Sequence, residues 1–408
     1  DDAAIRAGTR SIIDEVRKDR DAALFRLTQT YDKATLNELR VSEQEIAIAE
    51  TRLSADELAA IDVAIANVHR FHEAQVASDV RVETMPGVVC ERLSRPIEAV
   101  GLYVPAGTAP LPSAAIMLAV PARIAGCPTC VLCTPPRPDG TADPAVLVAA
   151  SRAGVSDIYK VGGAQAIATM AYGTESVPRV SKIFGPGNAW VTCAKTLVST
   201  DTEGAAIDMP AGPSEVLVIA DGDASAEFVA SDLLSQAEHG IDSQVVLLTT
   251  SGTLAEQVVE ELDQQLALLS RAAIAAEALT NSRIIVVTDL ETALNVSNAY
   301  APEHLILQVA DPRPLVDRVS NAGSVFVGPW TPESAGDYCS GTNHVLPTYG
   351  YARAWSGLGV DQFVRQMTVQ ELSREGLDKL GDTIVTLARL EGLDAHAAAV
   401  TRRLGKRS

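Results

Sequence analysis

Four short polar islands in the second half of the chain hold the residue types that catalysis and metal binding need. They carry four of the six histidines beside carboxylates and one amide, and they read SQAEHG (235–240), APEHL (301–305), GDYCSGTNH (336–344) and EGLDAH (391–396). Imidazole, carboxylate and amide groups together can hold a metal ion and still leave one imidazole free as a base. The islands therefore predict a metal site joined to acid–base chemistry.

The first island offers two candidate ligands on one helical face. Gln236 and His239 are three positions apart in a helical pattern that ends at Gly240, so both side chains project from the same side. On this pair alone a polar helix end is the favoured interpretation, because a glutamine ligand is unusual. Asp337 and His396 would extend the pair to a mixed nitrogen and oxygen set that suits zinc better than magnesium, but spacing alone does not join residues so far apart.

The second island puts a carboxylate next to an imidazole. Adjacent side chains of a strand point to opposite faces, so Glu303 and His304 can share a site only if the turn made by Pro302 persists through them. In that case His304 is a proton acceptor and Glu303 can activate a water, whereas a solvated strand edge is the alternative interpretation. The pair precedes its strand, although ligands of open α/β sheets usually bind at the carboxyl ends. We therefore expect a cleft shared by two domains and a second subunit.

Two glycine-rich turns lie where phosphates are often bound. GGAQA (162–166) and GPGNA (185–189) follow apolar strands and precede helices, so their backbone amides could meet a phosphate. Neither completes GxGxxG with a downstream acidic residue. We expect any nicotinamide cofactor to be held in a different way.

Alternating strands and helices must position these residues. Residues 1 to about 85 are predicted to be helical, with a capping box from Ser54 to Glu57. From about residue 98 apolar strands alternate with amphipathic helices, which is typical of parallel sheets with crossover helices. A Pro- and Gly-rich break at 208–215 divides the pattern into two α/β units, and a helical tail ends the chain. The predicted strands cover 100–105, 130–135, 158–163, 215–221, 244–250, 283–289 and 324–328.

The composition limits the partners. A formal charge of −19 and 47% apolar residues over 408 positions indicate large buried cores and disfavour nucleic acid and anionic membranes. A small cationic or zwitterionic substrate fits this charge better. The apolar region 114–133 is interrupted by Pro121, Arg123 and Pro128, and the first residues hold neither a Met nor an apolar stretch. We expect no bilayer span, no secretion signal and a missing short leader.

Three cysteines have a spacing that resembles part of an iron–sulfur motif. Cys127, Cys130 and Cys133 form CxxCxxC, but no fourth ligand follows in TPPRPDG. The segment is better explained as a buried strand that ends in a turn. We expect reduced core thiols in a cytoplasmic protein.

Together these segments closely resemble the histidinol dehydrogenase family, over nearly the whole chain and in the family's order. The matching strings are GLYVPAGTAPLPSAAIML, GGAQAIATMAYGTESVP, KIFGPGNAWV, IDMPAGPSEVLVIAD, DLLSQAEHG, APEHL, TPESAGDYCSGTNHVLPTYGY and EGLDAHAAAV. The resemblance implies one Zn²⁺ per subunit, with ligands Gln236, His239, Asp337 and His396, and a catalytic pair, Glu303 and His304. It implies NAD contacts at Tyr103, Gln165 and Asn188, and substrate contacts at Ser214, Gln236, His239, His304, Asp337, Glu391 and His396.

The resemblance also implies a fold. It is an α/β fold of two incomplete Rossmann-like parallel-sheet domains, similar to aldehyde dehydrogenases, with a helical N-terminal segment and a helical C-terminal tail. The expected first domain covers 1–106 plus 214–357, the second 107–213 and the tail 358–408, which a homodimer would exchange to complete each partner's site. Ala106 stands where the family often has a glycine, and the loss of backbone freedom could shift cofactor affinity slightly.

The implied activity is the zinc- and NAD-dependent four-electron oxidation of L-histidinol to L-histidine through L-histidinaldehyde, the last two steps of histidine biosynthesis. His304 would accept the hydroxyl proton and Glu303 would aid the addition of water, while a covalent thiohemiacetal on a cysteine is a minority alternative. A related dehydrogenase for another small alcohol, a zinc hydrolase and a catalytically silent binding protein are the rival functions. The complete ligand set argues against the first, and the missing HExxH motif argues against the second.

Overall fold

The computed structural model describes residues 2–106, 110–209 and 212–405. Its helices are α1 (Asp2–Asp19), α2 (Asp21–Tyr31), α3 (Glu43–Thr51), α4 (Ala55–Glu73), α5 (Pro112–Ala125), α6 (Pro144–Arg152), α7 (Gly163–Tyr172), α8 (Ala189–Ser199), α9 (Ala226–Ala237), α10 (Gly252–Leu266), α11 (Ala272–Thr280), α12 (Leu290–Tyr300), α13 (Arg313–Val316), α14 (Glu333–Tyr338), α15 (Arg374–Leu390) and α16 (Asp394–Arg403), with 3₁₀ turns at Tyr351–Arg353 and Val360–Phe363. Its strands are β1 (Val80–Met85), β2 (Val88–Pro96), β3 (Ala99–Tyr103), β4 (Thr129–Thr134), β5 (Asp157–Lys160), β6 (Lys182–Phe184), β7 (Ala206–Ile207), β8 (Glu215–Ala220), β9 (Gln244–Thr249), β10 (Arg283–Val286), β11 (His304–Gln308), β12 (Ser324–Val327) and β13 (Val364–Leu372).

Two five-stranded parallel sheets form the frame of the larger compact unit, which extends to Gln75 and resumes over Ile97–Phe363. The first sheet has the order β5-β4-β3-β6-β7, and the second has the order β10-β9-β8-β11-β12. When the strands of each sheet are numbered along the chain, both orders are 3-2-1-4-5, the order of a Rossmann-like sheet. The predicted fold class is confirmed.

The strands of these sheets are short apolar runs because helices cover both of their faces. All six residues of β8 are buried. The ends of each predicted strand differ from those of the corresponding observed strand by at most three residues. β3 pairs with β4 and β6, although the predicted boundary at 106 grouped it with the other sheet. Otherwise the domain limits stay a prediction.

The apolar region 114–133 is divided between helix α5 and strand β4, and the second of these was predicted. Pro112 opens α5, which is buried over Ser113–Ala122, and Gly126 ends it with φ of 80° before β4 begins. Cys130 and Cys133 lie in β4, and burial raises the pKa of the Cys130 thiol to about 12. Among the described helices, none combines the length and the hydropathy that crossing a bilayer requires.

The second compact unit comprises Val76–Pro96 and the segment from Val364 onward. Its sheet is antiparallel, with the order β1-β2-β13, and β13 pairs with β2 from Val364 opposite Pro96 to Leu372 opposite Val88. The predictions of helix up to residue 85 and throughout the tail were therefore wrong at β1 and β13. Half of the residues of β1 but only a third of those of β13 are β-branched, and pairing across distant parts of the chain outweighs local helical preference.

Candidate active site

The amino edge of the second sheet holds the catalytic pair predicted from the sequence. His304 is the first residue of β11, between Val216 of β8 and Ser324 of β12, and Glu303 immediately precedes it. Both side chains are almost fully buried, with 6% exposure for Glu303 and 4% for His304. A solvated strand edge is therefore wrong for this pair.

The two adjacent side chains meet because both turn towards the first residue of β8. The backbone N–H of Glu215 donates to Glu303 Oε2 over 2.8 Å, and its carbonyl oxygen lies 3.0 Å from His304 Nδ1. As a result, Glu303 Oε2 and His304 Nδ1 are 3.6 Å apart. A carbonyl can only accept, so it holds a proton on Nδ1 and leaves Nε2 as the basic nitrogen of a neutral ring.

The helix after β8 brings Gln236 and His239 towards this edge. A crossover helix runs antiparallel to its strand, so the carboxyl end of α9 returns to the amino ends of the strands. Gln236 is 1% exposed and lies in the last turn of α9, and the His239 N–H donates to its carbonyl oxygen over 3.2 Å. Gln236 is therefore in α9 near this edge, whereas His239 follows the helix, which ends at Ala237, so the predicted common helical face stays a prediction.

The short helix α14 supplies two carboxylates from successive turns. Asp337 Oδ1 lies 3.7 Å from His304 Nε2, and Asp337 Oδ2 lies 4.0 Å from His239 Nε2. Glu333 Oε1 lies 3.8 Å from His304 Nδ1. One ligand atom each from His239, Glu333 and Asp337 fall within 4.8 Å of one another, which is compact enough to surround one metal ion.

The charges of this cluster are unbalanced in the protein alone. Burial lowers the pKa of His304, but Glu303, Glu333 and Asp337 outweigh it and raise that pKa to about 10. Burial raises the pKa of Glu303 to about 7 and that of Glu333 well above its ordinary value. The imidazole therefore takes a proton to offset its acidic neighbours, and a divalent cation beside it could supply that positive charge instead.

Several buried polar atoms of the cluster have no hydrogen-bond partner among the described residues. They are Gln236 Oε1, His304 Nε2, both carboxylate oxygens of Glu333 and His344 Nε2. Native proteins rarely leave such atoms unpaired. Unpaired nitrogen and oxygen atoms around three converging donors fit a borderline-soft cation such as zinc together with a polar substrate.

A cavity of about 1150 Å³ connects this cluster with the first sheet. Tyr103, Gln165 and Asn188 line it, and so do His239 and Tyr338. Tyr103 ends β3, Gln165 lies in the first turn of α7, and Asn188 precedes α8, so all three occupy the carboxyl edge of the first sheet. The structure thus places the three predicted cofactor contacts in one cavity with a predicted metal ligand.

The first-sheet helices use their N-terminal amides within the protein. Asn188 Oδ1 caps α8 by accepting from the N–H groups of Trp190 and Val191, each over 3.1 Å. The Gly163 N–H at the start of α7 donates to the Tyr103 hydroxyl over 3.0 Å. The amides of Gly163, Trp190 and Val191 are therefore already paired within the protein, at turns that lack the standard dinucleotide fingerprint.

The remaining predicted site residues are Ser214, Glu391 and His396. Ser214 is half-buried just before β8, and its carbonyl oxygen accepts from the Gln244 N–H. Glu391 follows α15 and His396 lies in α16, both exposed and both in the second compact unit. Their proposed contacts stay predictions.

Three residues without a predicted role belong to the cluster. Glu333 lies four positions before Asp337, and this helical spacing could have revealed it. His344 is in the third island, and burial lowers the pKa of its ring while Asp337 raises it. Glu215 carried no sequence signal, because its role comes from the pairing of β8 with β11.

The whole chain is similar to known histidinol dehydrogenases. A family model described as histidinol dehydrogenase matches residues 1–404. The chain is 57% identical over 404 residues to the histidinol dehydrogenase of Vibrio vulnificus strain YJ016, covering 99% of this chain and 93% of that protein. It is 56% identical over 400 residues to that of Yersinia pestis, covering 98% and 89% of the two chains. The crystal structure of histidinol dehydrogenase from Elizabethkingia anophelis matches with a TM-score of 0.96 and 47% identity, over 98% of this chain and 92% of that one.

Proposed function

Because the chain belongs to the histidinol dehydrogenase family and is an oxidoreductase, we propose that it carries out the NAD- and zinc-dependent oxidation of L-histidinol to L-histidine through L-histidinaldehyde. Conversion of a primary alcohol to a carboxylate removes four electrons, so two NAD are reduced for each histidine formed. The observation that carries this proposal is the position of His304 between Glu303 and Asp337, with His239 lining the cavity that reaches Tyr103.

Gln236, His239, Asp337 and His396 would hold the zinc, the last contributed by a second subunit. Support comes from the close approach of His239 to Asp337 and from the unpartnered Oε1 of Gln236 one turn earlier. Bound zinc would hold the imidazole and amino nitrogens of histidinol and so fix the position of its hydroxyl. The excess of buried carboxylates near His304 favours a divalent cation at this point.

His304 accepts the hydroxyl proton of the substrate at Nε2. Its Nδ1 proton is held by the Glu215 carbonyl oxygen, so the ring presents a fixed tautomer to the reacting group. The high pKa of the ring in the protein alone reflects its three acidic neighbours, and a nearby cation would bring that pKa towards neutrality. Glu303, whose pKa is about 7 because of burial, then accepts a proton from the water that adds to the aldehyde.

Tyr103, Gln165 and Asn188, which line the cavity, would hold NAD. The Tyr103 hydroxyl and the Gln165 side chain both lie at the start of α7, and the capping role of Asn188 Oδ1 leaves its amide NH₂ group for a ligand. When bound, NAD would supply the hydride acceptor for each of the two oxidations. The proposed mechanism uses no cysteine, and burial raises the pKa of the Cys127 thiol to about 11, which makes that thiol a poor nucleophile.

The protein acts as a cytoplasmic homodimer in which each tail completes the partner's site, with Glu391 and His396 as tail contacts to the substrate and metal. The motivation is the exposure of both residues on a unit that also exposes Leu387, Leu390 and Leu393. Co-expression of His239→Asn with His396→Asn under two affinity tags tests this arrangement. A purified heterodimer holds one intact site out of two and should have about half of the wild-type activity, while both variant homodimers are inactive. An inactive heterodimer would show that each tail serves its own subunit.

The decisive assay measures NADH and histidine from L-histidinol before and after chelation of the metal. Two NADH per histidine, with activity that is lost on chelation and restored by zinc, are expected. Product without NAD would favour a hydrolase, and faster turnover of another amino alcohol would favour a related dehydrogenase. A protein that holds one zinc per chain but produces no NADH would favour a catalytically silent binding protein.

A further inference from the structure

One acidic side chain of the cavity has no part in the proposed chemistry. Asp32 follows α2 and lines the cavity together with Tyr103 and Pro135. Its Oδ2 atom is buried and has no hydrogen-bond partner among the described residues. A buried carboxylate oxygen without a partner in a ligand cavity can accept a hydrogen bond from a bound ligand.

Asp32 lies beside the strand end where Rossmann-like sheets bind a ribose. β4 is the second strand of the first sheet, and its carboxyl end leads into Pro135. A Cβ built on Gly162 would lie 2.5 Å from Pro135 Cβ and 3.3 Å from Asp32 Oδ1, so these groups crowd the same glycine. In dinucleotide-binding sheets an acidic residue at the end of the second strand accepts from the ribose hydroxyls.

The segment that follows β4 does not provide that acid itself. Asp139 is exposed, and its Oδ1 accepts from both the N–H and the hydroxyl of Thr141, so it is used in its own turn. Arg137 is the cation of this segment, and it pairs with the buried Asp143 that caps α6. The carboxylate therefore comes from α2 instead of the strand end, and the nearby guanidinium is already neutralised.

The orientation of the cofactor follows from the two ends of the cavity. Hydride transfer requires the nicotinamide ring near His239 and Tyr338, where the catalytic cluster opens into the cavity. The adenosine half then lies towards the first sheet, where Tyr31, Pro135, Pro136 and Pro138 form an apolar lining suited to a base. Asp32 belongs to this end.

We propose that Asp32 binds the hydroxyl groups of the adenosine ribose and makes the enzyme select NAD over NADP. The proposal rests on the NAD dependence proposed above. Ribose hydroxyls would give the unpaired oxygen its donors, whereas a 2′-phosphate would bring two like charges together in a partly dehydrated cavity. Burial raises the pKa of Asp32 to about 6, so the side chain is charged at neutral pH and can make strong hydrogen bonds.

The test combines Asp32→Asn with an NAD analogue that lacks the adenosine 2′-hydroxyl. In the wild type, we expect the analogue to raise the KM by about tenfold or more, and Asp32→Asn to raise the KM for NAD by a similar factor. In Asp32→Asn the KM values for the analogue and for NAD should differ by less than about threefold, because the 2′-hydroxyl of NAD no longer has its partner in this variant. The KM for NADP should approach that for NAD, while kcat and the KM for histidinol remain within about twofold of the wild type.

Glu38→Gln is the matched control, since Glu38 is an exposed acid of the same segment and does not line the cavity. It should leave all of these constants unchanged. The proposal is overturned if the variant and the analogue raise the KM by independent factors that multiply. It is also overturned if Asp32→Asn lowers kcat and raises the KM for histidinol, as a displacement of α7 would cause. A wild type that reduces neither NAD nor NADP would instead overturn the proposed function, and this inference with it.

Discussion

The Asp32→Asn substitution should stabilise the protein in the absence of NAD. Burial raises the pKa of Asp32 from 3.8 to about 6, so the folded state holds the ionised form at a cost. The side chain faces the neutral hydroxyl of Tyr103 and the start of α7, and no salt bridge to Asp32 occurs within the described residues. An amide of the same shape removes the charge and keeps the packing, so stability should rise while affinity for NAD falls.

The size of this effect follows from the shift in pKa. A shift of about two units corresponds to at most about 3 kcal/mol, and solvent that reaches the partly exposed side chain reduces this to roughly 1–2 kcal/mol. Between pH 3.8 and about 6 the folded state binds more protons at Asp32 than the unfolded state, so this residue lowers stability as the pH rises through that window. The advantage of Asp32→Asn should be complete above about pH 7 and should vanish near pH 4.

Thermal unfolding of the NAD-free wild type, Asp32→Asn and the Glu38→Gln control, followed from pH 4 to pH 8, would measure this. We expect Asp32→Asn to raise the Tm by about 2–4 °C at pH 7.5 and to match the wild type near pH 4. The control should follow the wild type at every pH. An unchanged or lower Tm at pH 7.5 would mean that the start of α7 already stabilises the carboxylate, and the reasoning from burial would fail.

Three further predictions concern the metal, the acid cluster and the first sheet. His239→Asn should lower zinc affinity by about 100-fold and abolish the rise in Tm that zinc gives, as measured by chelator competition and thermal unfolding. Glu333→Gln should keep about one zinc per chain but lower kcat roughly tenfold, because Glu333 Oε1 lies 3.8 Å from His304 Nδ1. Loss of zinc from this variant would show instead that Glu333 is a metal ligand. Gly185→Ala should cost about 2 kcal/mol or more in urea unfolding, because φ is 124° and the new Cβ would lie 2.2 Å from the Tyr103 carbonyl oxygen; unchanged stability would contradict this.

The parallel sheets could be predicted from the sequence because most of their strands are buried, and each such strand is a short apolar run that can be recognised on its own. β8 and β9 are apolar along almost their whole length, and a predicted strand covered each of them. β13 was missed because it has no such run, and a nine-residue register with β2 gives it its structure. A strand that depends on a distant partner leaves only a weak mark on its own sequence.

The site was predictable in its residue types and only partly in its arrangement. Glu303 and His304 were recognisable as an acid and a base, but that they share a site depends on Glu215, whose backbone meets both side chains. Asp32 was not recognisable, because the carboxylate lies about 100 positions before the strand end beside which it is found. Residues whose roles depend on tertiary proximity cannot be found from spacing alone.

The two sheets contribute opposite edges to the cavity, and this resolves the conflict between the usual rule and the position of the catalytic pair. The first sheet follows the rule, since Tyr103 and Asn188 lie at the carboxyl ends of its strands. The second sheet offers its amino edge, where His304 begins β11 and the end of α9 brings His239. The proposed function requires this arrangement, since a dinucleotide at the first edge would have to reach the base and the metal ligands at the second.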